Sequence, residues 1–560
     1  MEKRTLLALV LILLVLYLSN KYIYKPLPPA ERETPRPQPE KVVGEEPGES
    51  KEPIEMELPT IEEREGILRE ERPDTTRVET DKYSLLFSNR GGALIDAVLK
   101  EYEYLPDGSS VRLVSSKTSN FLTIMLSAQK DTLDLRNLTF NSDRKELSLS
   151  SYEPEGRISF TAVIGSADTV QITYTFDNDS YIIGASLTLP QLRRSGEGWR
   201  IHESLGPSFR PTEKDSVKND FPNIGAVYIK GGEVGEVKMK DFKERRSEYI
   251  KGPLPWISMK NKYFLVGLIG RSVPFEGAVI WGDRGRKQFE IHPRIALDPG
   301  DRNVNLEIYI GPQDYRHLEK VGLGFEKIVE YGWWIIKPFT RLVLVIMLWM
   351  HRFISNYGIV IILFSVCTKI AFYPLTKKSL QASKDMQKLQ PLIKEIREKY
   401  KDDPKKLQEE TMRLYKERKV NPLGGCLPLL VQMPVLWALF YVFQRTIEFR
   451  GEEFVLWIKD LSAPDSPPVL PIVMGISMYI QQKMTPTTDP RMAPMQFVMP
   501  VVLTIIFINF PAGLVLYWTV NNIMSIMQQY YMKSSDKGIS KGGGKTGKGG
   551  KRIARVRQKQ

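Results

Sequence analysis

The chain has 560 residues, of which 26% are charged and 10% aromatic, and on average it looks like an ordinary soluble protein of several domains. Two cysteines, Cys367 and Cys426, exclude a disulfide framework. The net charge of +13 is unevenly placed, with basic residues crowded into 377–420 and 533–560 and Glu-rich sequence in 31–71, which points to an anionic partner, lipid or nucleic acid.

Residues 1–24 begin with Lys3-Arg4 and continue with the apolar run Leu6–Leu18. No small-x-small cleavage site follows, and Lys21, Tyr22 and Tyr24 suit a membrane interface, so an uncleaved anchor is expected, with a cleaved signal as its rival. Residues 25–75 are rich in Pro and Glu and poor in aromatics; they read as an extended linker. From 76 to 320 the texture changes to short alternating runs separated by turn residues. Gln171–Phe176 alternates, Asp177–Ser180 makes a turn, Tyr181–Leu189 resumes the pattern, and Val304–Ile310 repeats it near the end. This predicts an exported all-β sandwich. His202, His292, His317 and His351 lack ligand spacing, and the domain carries no nucleophile elbow, phosphate loop or zinc motif, so no metal or cofactor is expected.

Residues 321–356 include an apolar run, Trp333–Phe353, interrupted by Lys337, Arg341, His351 and Arg352. An interfacial helix is expected there, with a membrane span as the alternative. The remainder, 357–532, holds five apolar runs of near-spanning length: 358–376, 423–443, 468–484, 495–510 and 512–532. Placing the basic stretches in the cytoplasm makes these five spans and the anchor alternate consistently, which favours the interfacial reading of 333–353. Within 377–420, Leu380, Met386, Leu389, Ile393, Ile396 and Tyr400 recur at helical spacing, and Asp402-Asp403-Pro404 precedes a second helix. A basic helical hairpin is predicted, serving as a docking surface or a solvated connector. The fold class read from the sequence is a polytopic α-helical membrane protein, an N-terminal anchor plus a five-helix core, with an all-β periplasmic sandwich domain.

The most informative residue is Lys369, a cation in the first of those apolar runs with no acid in the same run. Such a charge costs roughly 2.5 kcal/mol or more in hydrocarbon and usually faces a wet cavity. Snorkelling towards Lys377 is the plainer explanation. Ser365 and Thr368 lie one turn and one residue before it, and later apolar runs carry Gln432, Asn521, Asn522 and Gln528; together these polar groups are able to line one hydrated groove. Ser365 and Lys369 also have the spacing of a Ser-Lys dyad, so an intramembrane protease is one alternative and a solute transporter or channel another.

Tyr373–Thr376, Lys419–Pro434, Leu456–Leu461, Gln482–Pro486 and Phe510–Trp518, in that order and spacing, resemble the YidC/Oxa/Alb membrane protein insertases, in the bacterial form with a large periplasmic domain. The likeness covers about Trp333 to Met532 closely and 76–312 more loosely. It implies five spans around a hydrophilic groove that inserts and helps fold nascent integral membrane proteins, alone or with the Sec translocon, in the bacterial inner membrane. Both termini would be cytoplasmic and the β domain periplasmic. The match puts Ser365, Gln432, Trp518 and Asn521 on the groove and Lys369 where bacterial members typically carry arginine, so charge attraction survives while the bidentate fork is lost. The tail, 533–560, alternates lysine with glycine; Lys545, Lys548, Lys551, Arg552, Arg555 and Arg557 are candidate ribosome contacts, with anionic lipids as the competing partner.

Overall fold

The computed structural model describes residues 74–542 apart from 116–121, 129–130, 165–167, 190–199, 207–209, 214–219, 243–245, 286, 299–300, 421–426 and 485–492. The expected anchor, almost all of the linker, and the six tail residues proposed to touch the ribosome lie outside the described residues.

Strands occupy the chain from Thr75 to Pro312 and form two sheets. The larger runs from Arg246–Leu254 through Phe275–Asp283, Gln288–Ala296, Arg200–Leu205, Leu122–Ala128, Ala93–Tyr104, Tyr83–Ser88 and Thr75–Glu79 to Glu146–Ser148. In the smaller, Asn303–Pro312 lies between Phe264–Ile269 and Ile182–Thr188, so the last strand of the domain is central. The alternation read from the sequence has a direct cause. Along Asp168–Asp177 the side chains of Val170, Ile172, Tyr174 and Phe176 are buried between the sheets, while Gln171 and Thr175 face outward. Antiparallel pairing sets Ile172 opposite Phe160 and Tyr174 opposite Ile158. Phe87 of the other sheet meets the Tyr174 ring at 4.7 Å, and the Tyr174 hydroxyl donates to the Gly92 carbonyl at 3.0 Å. Each such buried side chain contributes about 1.5–3 kcal/mol, and the hydroxyl bond avoids leaving a polar group unpaired inside.

Helices follow. Helix α1 (Tyr315–Val321) is N-capped by Asp314, which accepts from the Arg316 amide at 2.7 Å. Helix α2 (Lys337–His351) buries Thr340, Val343, Leu344 and Met347 at helical spacing, and exposes Leu342, Val345 and Trp349 on its other side. Being apolar on both faces, it suits contact with lipid on the side turned away from the protein. The Arg341 guanidinium lies over Tyr315 and Tyr331 at 5.2 and 5.6 Å, which places this charge against aromatic rings.

Asn356 caps α3 (Tyr357–Ala371) by accepting from the Ile359 amide at 3.1 Å. The apolar run expected to continue to Thr376 instead stops at Ala371, and α4 (Tyr373–Lys388) starts after a 60° bend. Pro374 in the first turn of α4 explains the break, because proline has no amide hydrogen for the preceding helix and restricts the residue before it. Among the described residues no single helix combines the length and hydropathy of a membrane span; α3 and α4 do so only as this bent pair. A second break falls between α4 and α5 (Gln390–Lys399), where Pro391 sits in the first turn. Asp403 then caps α6 (Pro404–Glu417) from the Lys406 amide at 3.0 Å, and α5 and α6 close on Leu389, Ile393 and Leu414. The remaining helices are α7 (Leu427–Arg445), α8 (Val469–Met484), α9 (Ala493–Phe507) and α10 (Ala512–Gly542). The last continues past Met532 to Gly542.

Candidate functional site

Three helices bring polar side chains together in otherwise apolar surroundings. From α3, the Lys369 ammonium donates to the Ser525 hydroxyl of α10 at 2.6 Å. Ser525 in turn donates to the Asn521 carbonyl at 2.8 Å. From α7, the Gln432 amide donates both to the Tyr517 hydroxyl at 3.1 Å and to the Asn521 side-chain oxygen at 3.3 Å. Asn521 completes the set by donating to the Tyr517 carbonyl at 3.2 Å. Tyr517, Asn521 and Ser525 are four residues apart, so α10 presents them as one stripe, with α7 meeting its N-terminal part and α3 its C-terminal part.

Of the residues singled out from the sequence, Lys369, Gln432 and Asn521 are thus joined through this stripe. Ser365 is fully buried and its hydroxyl donates to the Ile361 carbonyl at 2.7 Å; Thr368 donates likewise to the Ser365 carbonyl at 2.9 Å. Ser365 is thereby satisfied within α3, whereas the Thr368 hydroxyl also bonds the Tyr517 hydroxyl of the stripe. Trp518 points elsewhere, its ring 5.0 Å from Phe507 of α9. Asn522 ties α10 to α8 through Ser477 at 3.0 Å, and the Gln528 side-chain oxygen is buried without a hydrogen-bond partner among the described residues. Two members of the cluster, Tyr517 and Ser525, were not picked out from the sequence, although their spacing with Asn521 was there to be read.

Lys369 is bonded to a hydroxyl, and among the described residues no carboxylate forms an ion pair with it. A serine oxygen solvates an ammonium without neutralising it, so the cluster keeps a positive charge available to an incoming anion. The geometry gives no support to a Ser-Lys dyad. The hydroxyls of Ser365 and Ser525 each direct their hydrogen at a main-chain carbonyl one turn back, and the Lys369 amine is itself a donor.

Comparison with known proteins covers nearly the whole described chain. A family described as the 60Kd inner membrane protein matches residues 349–538, and one described as the YidC periplasmic domain matches residues 75–342. The membrane protein insertase YidC of Geobacter metallireducens is 35% identical over 544 residues, covering 96% of this chain and 99% of its own. That of Syntrophus aciditrophicus is 33% identical over 552 residues, covering 95% and 99%. Among solved structures, an active YidC insertase with its first transmembrane domain resolved aligns at 20% identity, covering 82% of this chain and 94% of its own, with a TM-score of 0.37.

Proposed function

This chain belongs to the YidC family of inner-membrane protein insertases, and from that premise we propose that Lys369 and the Gln432–Tyr517–Asn521–Ser525 stripe form the seat that first receives the hydrophilic tail of a nascent membrane protein. The observation that carries this reading is the uncompensated ammonium of Lys369, held by a hydroxyl where three largely apolar helices meet. A carboxylate on the tail gains a counter-charge there, and its remaining polar groups gain amide and hydroxyl partners. Both effects lower the desolvation cost of leaving water.

The driving force is supplied by the substrate. An apolar helix of about 20 residues moving from the aqueous phase into lipid releases hydrophobic free energy at roughly 25 cal/mol per Å² of buried apolar surface. That burial needs no nucleotide, so the chain acts by lowering a barrier. In this topology the β domain is periplasmic, the α4–α6 hairpin and both termini are cytoplasmic, α2 lies in the outer interface, and α3 and α7–α10 supply the core spans. The basic hairpin and the tail residues Lys545, Lys548, Lys551, Arg552, Arg555 and Arg557 suit phosphate-bearing partners, ribosomal RNA first and anionic lipid second. Insertion beside the Sec translocon and insertion alone use the same seat.

Photocrosslinking tests the assignment. A benzophenone side chain at position 432 or 525 should capture a ribosome-bound single-span nascent chain through its translocated tail, and a probe at the lipid-facing position 363 should not. Equal capture at all three positions would remove the reason to place the seat here.

A further inference from the structure

The β domain meets the helices at a seam, and one buried cation dominates it. Arg450 follows the short helical turn Ile447–Phe449 at the end of α7, and its side chain is only 3% exposed. Its guanidinium is fully engaged by the β domain. Nε donates to the Glu213 carboxylate at 2.7 Å, Nη1 to the Glu103 carbonyl at 2.9 Å and Nη2 to the Thr212 carbonyl at 2.8 Å, while the Phe264 ring lies 5.3 Å away.

The receiving side is held in place by its own bonds. Asp220 accepts from the amides of Thr212 and Glu213 at 3.0 and 2.9 Å, and Asn261 donates to the Thr212 hydroxyl at 3.0 Å. Two further contacts flank the arginine. Arg445, the last residue of α7, donates to Asn223 at 3.0 Å and lies 3.5 Å from Glu330; the Tyr263 hydroxyl bonds Ser462 at 3.2 Å.

The loop that carries Arg450 and Ser462 also grips the start of α10. The carbonyls of Ala463 and Leu461 accept from the amides of Ala512 and Gly513 at 2.8 and 2.9 Å, and Leu461 donates to the Glu452 carbonyl at 3.0 Å. The β domain is thereby bonded to the ends of α7 and α10 on one side of the molecule. These are the two helices that share the Gln432–Tyr517–Asn521 contacts. A buried arginine with three directional bonds is a poor source of net stability, because desolvation offsets its attraction, but it fixes one orientation and penalises others.

We propose that Arg450 is a positioning residue that fastens the β domain to the facing ends of α7 and α10 and so holds the loop from Arg450 to Ala463 against the start of α10. Its bearing on insertion rests on the insertase reading given above. Releasing the fastening leaves the receiving seat intact and loosens only this seam.

Hydrogen exchange on the full-length protein in lipid nanodiscs, with insertion of a single-span substrate measured in parallel, tests this. Arg450→Ala and, from the other body, Glu213→Ala should each speed exchange of the amides of Leu461, Ala512 and Gly513 by at least about tenfold, since removing one partner strands a buried charge or its acceptors. Arg450→Lys, which keeps the charge and loses the fork, should give a smaller rise. Strands Phe264–Ile269 and Asn303–Pro312 should stay as slow as in the parent protein, and insertion should persist. Parent-like exchange at 461 and 512–513 in both alanine variants overturns the proposal, as does a rise spread through the β strands, which would mean unfolding instead of release. A parent protein that inserts no substrate would instead count against the insertase reading, whatever the exchange shows.

Discussion

Glu203 gives the β domain a pH dependence that is computable from its surroundings. The residue lies on the strand Arg200–Leu205, is almost fully buried, and its Oε2 has no hydrogen-bond partner among the described residues. Burial pushes its carboxyl up from 4.5 to about 8. The folded state therefore holds a proton that the unfolded state gives up between those values, and stability is fully present below pH 4.5 and lost as pH rises through about 8. At 1.36 kcal/mol per unit the loss over that window is about 5 kcal/mol, an upper figure because a wetted or locally opened interior relaxes part of it. Burial lifts Asp220 to about 6 and Glu448 to about 7, so both add losses of the same sign at lower pH. The interval from pH 7 to 8 is where Glu203 acts most nearly alone. Urea unfolding of the full-length protein in detergent, followed through the β signal in circular dichroism, should show the domain weakening across that interval. Glu203→Gln should flatten the slope there, remove the Glu203 share of it down to pH 4.5, and leave the profile below pH 4.5 unchanged. An identical slope in the glutamine variant would show that the carboxyl is solvated or paired, and the reasoning from burial would fail.

Other consequences are as direct. Tyr517→Phe removes one acceptor of the Gln432 amide and should cost about 0.5–1.5 kcal/mol of stability, with a partial fall in insertion measured on a single-span substrate. Gly358→Ala places a methyl into the Phe454 ring, and overpacking of this kind should destabilise by about 1–3 kcal/mol, read as a lower melting temperature in detergent. Ending the chain at Met532 should weaken ribosome binding to the solubilised protein and reduce its salt slope; equal affinity and slope would assign the basic tail to another partner.

The sequence made some of this architecture legible and concealed the rest for identifiable reasons. Alternation such as Val170-x-Ile172-x-Tyr174-x-Phe176 is imposed by a buried sheet face, so the all-β character of the domain was readable from the few runs that show it cleanly. Lys369, Gln432 and Asn521 stood out because polar groups are expensive in apolar runs. Tyr517 and Ser525 did not, since a tyrosine or serine is unremarkable in such a helix until its four-residue spacing to Asn521 is counted. The bonds of the Ser365 and Thr368 hydroxyls to carbonyls a turn back had no outward sign in the sequence, and neither did the bond from Thr368 to Tyr517. The bend after Ala371 was signalled by Pro374, but hydropathy averages across it. The seam was invisible: Arg450 and Glu213 are 237 residues apart, and each alone reads as a loop charge.

The central claim is that the charge of Lys369 receives acidic tails, and insertion into liposomes by purified protein tests it most directly. Two single-span substrates differing only in whether the translocated tail carries carboxylates should be compared across the parent protein, Lys369→Arg and Lys369→Ala. Arginine should sustain insertion of both substrates, and alanine should lose the acidic-tailed one by about tenfold or more while largely sparing the neutral one, in keeping with the cost of an unpaired charge in a low-dielectric site. Equal insertion of both substrates by the alanine variant would contradict the account and leave Lys369 as a lysine that merely reaches for water.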